Sequence, residues 1–330
     1  MKNPFVTNGY VSPEYFCDRE KETAKIVSLL TNENNIALIS PRRLGKTDLL
    51  RHCFGQPEIK EHYHTFIIDI YATSSVRDFV NVFGKAVLDE LRPKGKSVWG
   101  TFLNVLASLR SEITFDMNGQ PTWGIGLGAI TNPSATLDEI FSYLNNAGKP
   151  CLIAIDEFQQ ITKYADDPNI EAALRTHIQR CSNAHFVFSG SHRHLMGAMF
   201  TSPARPFYQS VTLINLPPIS VDKYAEFCLK HFERVSKHLD TLVVTELYER
   251  FNGITSYMQK VMNILFSMTG TGEICIPSMI DTAINDLLDF SADTYDALLY
   301  QMPEKQRIVF MAIAAEGKAK AISSSDFVRK

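Results

Sequence analysis

Eight consecutive residues, Ser40-Pro41-Arg42-Arg43-Leu44-Gly45-Lys46-Thr47, carry the densest chemistry in the chain. Their last three positions match the pattern GxxxxGK[ST], with Ser40 where the first glycine is usual. In such a loop, backbone N–H groups converge on one point and the helix that follows adds partial positive charge. Gly45 lets the backbone approach an anion with no Cβ in the way. Lys46 would reach the β and γ phosphates of a nucleotide, and the Thr47 hydroxyl would ligate Mg²⁺. Asp48 completes the first turn of the helix. The plainer reading is a basic strand-to-helix turn with no ligand.

A second motif, Cys151-Leu-Ile-Ala-Ile155, ends in Asp156-Glu157. Ligands of open α/β sheets sit at the carboxyl ends of the strands, so both carboxylates fall at that edge. Asp156 would hold Mg²⁺ through water, and Glu157 would polarise an attacking water. The same pair could instead cap a following helix. A third polar tip, Phe188-Ser189-Gly190-Ser191, offers Ser189 as a contact to the γ-phosphate or the water.

These groups need a scaffold that brings strand ends together. Short apolar runs at Asn35 to Ile39, Thr65 to Tyr71, Cys151 to Ile155, His185 to Ser189 and Val211 to Asn215 read as strands. Helical patterns lie at Asp48 to Phe54, Val76 to Leu91, about 98–109, Ser134 to Asn146 and Ile170 to Cys181. Nearly continuous apolar strands alternating with helices predict a parallel sheet covered on both faces. Ile113 to Leu127, with Asn118-Gly119 at its centre, reads as a β-hairpin insertion. From Pro217 onward the pattern is all helical: Val221 to Phe232, Asp240 to Phe251, Ser256 to Met268 and Pro277 to Leu288. A further unit begins near Asp289 and contains a helix at Glu304 to Ala315.

The three motifs together resemble the archaeal-type ATPase family of P-loop NTPases, on the AAA+/STAND side of that class. Phe16-Cys-Asp-Arg-Glu-Lys-Glu22 is similar to the family's box ahead of the phosphate loop, and Pro206-Phe-Tyr208 to its Pro-Leu-Tyr-Gly-Arg. Asn252-Gly-Ile-Thr-Ser-Tyr-Met-Gln259 resembles its lid motif. The resemblance implies ATP and ADP binding, Mg²⁺-dependent hydrolysis, a sheet of order 5-1-4-3-2, a helical lid and a C-terminal winged helix. It divides the chain into an ATPase core at 1–216, a lid at 217–288, and a linker with part of a winged helix at 289–330. It brings Arg19 and Tyr257 to the nucleotide, beside Ser40 to Asp48 of the Walker A loop. The chain departs from the family pattern at three places: Ser40, Thr255 in place of the lid proline, and Gln209-Ser210 where Gly-Arg is usual. Arg205, Arg193 and Arg175 are the candidates to replace that missing arginine, with Arg205 the first choice.

Two other readings stand beside this one, the first prompted by the missing arginine. One is a nucleotide-gated switch that hydrolyses slowly or not at all. The other is a DNA-binding regulator working through the winged helix. Pro303 to Lys330 holds six basic and three acidic residues, a local excess of +3. A protein partner or a second copy of the chain is also within the family's range.

Composition excludes several classes. The 330 residues are 45% hydrophobic and 21% charged, with net charge −3, which fits a globular chain and not a uniformly basic one. No run of 18 apolar residues predicts a membrane span, and the N-terminus lacks a signal-peptide core. Six scattered cysteines without a CxxC pair predict free thiols and a cytoplasmic setting. Gly124-Ile-Gly-Leu-Gly128 lacks the context of a dinucleotide fingerprint. His177, His185, His192 and His194 do not make a metal site, the last two flanking Arg193 in an apparent loop.

Overall fold

The computed structural model of the protein describes residues 3–91, 114–115, 121–122, 132–317 and Ser324. Five strands form one sheet: β1 (Ile36–Ile39), β2 (His64–Asp69), β3 (Cys151–Asp156), β4 (Ala184–Gly190) and β5 (Thr212–Asn215). Every pairing in it is parallel, in the order β2-β3-β4-β1-β5. That is the expected order, read from the opposite edge.

Strand alternation sorts the apolar residues onto two faces. Cys151, Ile153 and Ile155 of β3 and Ala37 and Ile39 of β1 face α4 (Val76–Glu90), α5 (Pro133–Asn145), α6 (Ile170–Arg180) and α7 (Arg193–Thr201). Leu152 and Ala154, with Ile36 and Leu38, face α1 (Glu20–Thr31), α2 (Lys46–Phe54) and α3 (Pro57–Lys60). Both faces are covered, which is why these strands read as unbroken apolar runs rather than alternating ones. Side-chain caps set two of the helix starts. Ser75 accepts from the Asp78 N–H at 3.1 Å and Asn132 from the Ala135 N–H at 3.2 Å.

A separate helical core follows, built from α8 (Val221–Glu233), α9 (Thr241–Phe251), α10 (Thr255–Met268) and α11 (Ile280–Asp289). Phe5 of the N-terminal segment is fully buried in this core, against Phe232 and Phe266. The Asn263 amide, donating to the Phe5 carbonyl at 2.7 Å, pins the segment there. Two last helices, α12 (Ala292–Gln301) and α13 (Glu304–Ala315), bury none of their residues.

One helix went unread in the sequence, and several local expectations need correction. Glu20 to Thr31 is a helix that buries Thr23, Ile26, Val27 and Leu30, a helical stripe masked by its charged first turn. Arg193 and His194 open α7 rather than sitting in a loop, because Met196, Met199 and Phe200 bury one side of that turn. The unit after Pro217 is not wholly helical. His238–Leu239 pairs in parallel with Ile274–Cys275, and the expected last helix divides into a 3-10 turn, starting at Pro277, and α11. In the insertion, Thr114–Phe115 pairs antiparallel with Pro121–Thr122, as a hairpin requires. Its Asn118-Gly119 turn, the helix expected at 98–109 and the Gly124 to Gly128 run lie outside the described residues. All six cysteines are free. Among the described residues, no helix is long and apolar enough to cross a membrane.

Candidate functional site

The loop from Ser40 to Gly45 leaves β1 and turns into α2 through two left-handed residues, Arg43 at φ 70° and Gly45 at φ 82°. Gly45 is the N-cap, so no side chain satisfies the first N–H groups of α2. They and the helix dipole are left for an external anion. Lys46 is only 7% exposed and donates to the carbonyls of Ser40 at 3.0 Å and Pro41 at 3.3 Å. Burial pulls its pKa below the usual lysine value, while Asp156 and Glu157 push it back up. Burial in turn raises the Asp48 carboxyl on the same turn.

Across the cleft, β3 ends in the two carboxylates. Asp156 Oδ2 accepts from the Thr47 hydroxyl at 2.5 Å, and Asp156 Oδ1 from the Glu157 N–H at 3.0 Å. Glu157 is left-handed, at φ 56° and ψ 40°, and leads into the 3-10 turn Phe158–Lys163. Its carboxylate therefore does not cap a following helix. Glu157 Oε2 accepts from the Ser191 hydroxyl at 2.8 Å and from the Gln159 side-chain amide. Arg42 Nε donates to the same Ser191 oxygen at 3.3 Å, and its guanidinium lies 5.4 Å from the Tyr71 ring centre.

The cleft between sheet edge and helical unit has a volume of about 350 Å³. Arg42, Arg43, Leu44, Gly45, Lys46, Thr47, Asp48, Asp156 and Glu157 line its polar end. Tyr10, Phe16, Cys17 and Ile219 build a largely apolar end. Arg19 also lines the cleft, 3% exposed and left-handed, with Nη1 paired to Glu22 at 3.0 Å and Nη2 without a partner among the described residues. The helical unit closes the top with Thr255, Ser256 and Gln259. It is tied to the phosphate loop: the Ser256 N–H donates to the Arg43 carbonyl at 3.2 Å, and Arg43 lies over the Tyr257 ring at 4.9 Å.

The sequence-predicted residues divide on this map. Those from Arg42 to Asp48, with Arg19, Asp156 and Glu157, share the cleft. Ser40 and Pro41 sit behind Lys46 as its carbonyl acceptors, and Tyr257 reaches the loop through Arg43. Ser189 does not reach Glu157. It pairs with Leu38 in the sheet register and is fully buried, and its hydroxyl has no partner among the described residues. Ser191, two residues further, makes the contact instead. Arg205 pairs with Glu171 at the start of α6 and does not line the cleft, and neither do Arg175 and Arg193. Residues that sequence reasoning passed over are Val6, Thr7, Gly9, Tyr10 and Val11, together with Ile219. A short, aperiodic leader carries no local signal of what it packs against.

A parallel sheet of this order, with a glycine-lysine-threonine loop at β1 and an aspartate-glutamate pair at β3, is the fold of the P-loop ATPases. Residues 16–261 match the family model described as the ATPase domain predominantly from Archaea. The chain belongs to that family. Residues 293–330 match the model of a winged helix domain, which places α12 and α13 in such a domain at the C-terminus. No curated protein matches the chain. Among solved structures, the Walker-type ATPase PABY2304 of Pyrococcus abyssi is similar at 17% identity and TM-score 0.60, over 94% of this chain and 81% of that one. The Aeropyrum pernix ORC2 protein in its ADPNP–ADP complexes is similar at 13% identity and TM-score 0.58, over 86% and 71%. The ORC1 protein of the same organism, in complex with DNA, is similar at 12% and TM-score 0.57, over 94% and 75%.

Proposed function

We propose that the chain binds ATP in this cleft and hydrolyses it with Mg²⁺, and that nucleotide state moves the helical lid at 217–288 and the winged helix after it. The carrying observation is the cluster of Lys46, Thr47, Asp156 and Glu157 at one sheet edge, facing an uncapped helix N-terminus. Loop amides and Lys46 would hold the phosphates, and the apolar end would take the base. Arg19, with an unpaired Nη2 in the cleft wall, would meet the nucleotide near its ribose or base.

Thr47 and Asp156 present hard oxygen donors suited to Mg²⁺. Among the described residues no three acidic, histidine or cysteine side chains form a metal cage. That fits an ion held largely by substrate phosphates. When bound, the ion would neutralise charge on the β and γ oxygens. Glu157 would orient the attacking water, and Arg42, beside Ser191 and Glu157, would stand nearest the terminal phosphate.

Titration calorimetry with ATP, with and without Mg²⁺, tests the reading. Lys46→Ala should weaken ATP by about 100-fold, the loss of one charged contact of about 2–3 kcal/mol. Unchanged affinity would sink it.

One observation favours a slower, switch-like variant of the same function. Arg205 is engaged by Glu171, and Gln209-Ser210 stand where the family carries Gly-Arg. Tight binding with near-zero turnover would select the switch. A winged helix also supports DNA as a partner, tested by affinity that falls with salt.

A further inference from the structure

Gln159 lies two residues beyond Glu157 and is 3% exposed. The left-handed turn at Glu157 folds the chain back so that the Gln159 side chain meets the Glu157 carboxylate. A carboxylate only accepts, so the amide must present its N–H groups to Glu157 Oε2. The opposite atom, Gln159 Oε1, is buried without a partner among the described residues. It occupies a notch at Gly190, where any Cβ would collide with Gln159 Oε1 and Met196 Sδ. A methionine of similar length would fill that notch without leaving an unpaired acceptor. Packing alone therefore does not account for an amide here; its N–H groups do.

Both donors to Glu157, Gln159 and Ser191, act on Oε2. Among the described residues no protein donor is bonded to Oε1, and Glu157 lines the cleft. The carboxylate is thus held by one edge with its other oxygen available to water. We propose that Gln159 is a positioning residue: its amide fixes Glu157 so that Oε1 faces the attacking water. This rests on the ATPase reading above. Preorganising a side chain before the substrate arrives removes that reorientation from the reaction barrier.

The test is Gln159→Met, measured alone and with Glu157→Gln in the full chain with Mg²⁺ and ATP. Gln159→Met should lower kcat by about tenfold, as loss of an orienting hydrogen bond does elsewhere. Nucleotide Kd by calorimetry should move less than twofold. In the Glu157→Gln background, Gln159→Met should change turnover no further, because a residue acting through another couples to it completely. Gly190→Ala, which displaces Gln159 from its notch, should reproduce the loss, provided its circular dichroism matches the parent. Equal kcat in Gln159→Met, a rise in kcat, or the same fold-loss in both backgrounds would overturn the inference. Wild-type protein that binds ATP without turning it over would select the switch, and would overturn the hydrolytic reading and this inference together. Wild-type turnover that Gln159→Met preserves would overturn this inference alone.

Discussion

Thr47 and Asp156, 109 residues apart in the chain, are joined by a hydrogen bond of 2.5 Å between the hydroxyl and Oδ2. The first residues of α2 and the last of β3 meet there because both elements end at the same edge of the sheet. The bond holds a hydroxyl and a carboxylate together in the wall of the cleft.

If that pair serves a cation, its loss acts on Mg²⁺ and not on the nucleotide alone. Asp156→Asn should weaken ATP binding at least about tenfold with Mg²⁺ present, a deficit of about 1.4 kcal/mol. With EDTA in place of Mg²⁺ the same variant should bind as wild type or slightly tighter, since a carboxylate near phosphates has been removed. Parallel calorimetric titrations check this. Equal weakening in both conditions would make the effect structural.

Arg205 is expected to stabilise the core through Glu171. Burial raises the Glu171 pKa and Arg205 opposes that rise. A raised carboxyl pKa destabilises the folded state above it, and the penalty fades as pH falls and the group takes a proton. Arg205→Ala removes the opposing charge, so it should cost about 1–3 kcal/mol at pH 7, discounted because Arg205 is part exposed. The cost should shrink toward pH 4. Urea unfolding at the two pH values measures it. A loss independent of pH would assign Arg205 to packing.

Arg43 and Tyr257 link the loop after β1 to the helical unit. Tyr257→Ala should remove a contact of about 0.5–1 kcal/mol. Amide exchange at the start of α10 should quicken, most of all at Ser256, whose N–H donates to the Arg43 carbonyl. Exchange unchanged at Ser256 would show that the backbone bond alone holds the lid.

Phe5 anchors the leader that walls the apolar end of the cleft. Phe5→Ala should cost about 3–5 kcal/mol in the lid, as other buried phenylalanines do. It should also weaken nucleotide binding, because Val6 to Val11 would lose their anchor. Differential scanning calorimetry and a nucleotide titration read the two effects. Loss of stability with affinity intact would mean the leader does not shape the base site.

Strands and most helices were legible from short apolar runs and 3.6-residue spacing, since burial on both sheet faces writes itself into every residue of β3. The phosphate loop was legible too, because Gly45 must take a positive φ and Lys46 must follow it. α1 was hidden behind its charged first turn, and the His238–Leu239 pair was too short to show a period.

What local pattern could establish was which segments are strands, which edge of the sheet carries the chemistry, and that a lysine, a threonine and two carboxylates meet there. Backbone sterics and alternation act over a few residues, so the chain states them directly. Which of two serines touches Glu157 depended on sheet register, since Ser189 points into the α1–α2 face and Ser191 lies past the strand end. Whether Arg205 is free depended on Glu171, which lies 34 residues away in the chain. The wall at the apolar end of the cleft came from a leader held by the helical unit. Such pairings follow from how distant elements pack together, and no local spacing encodes that.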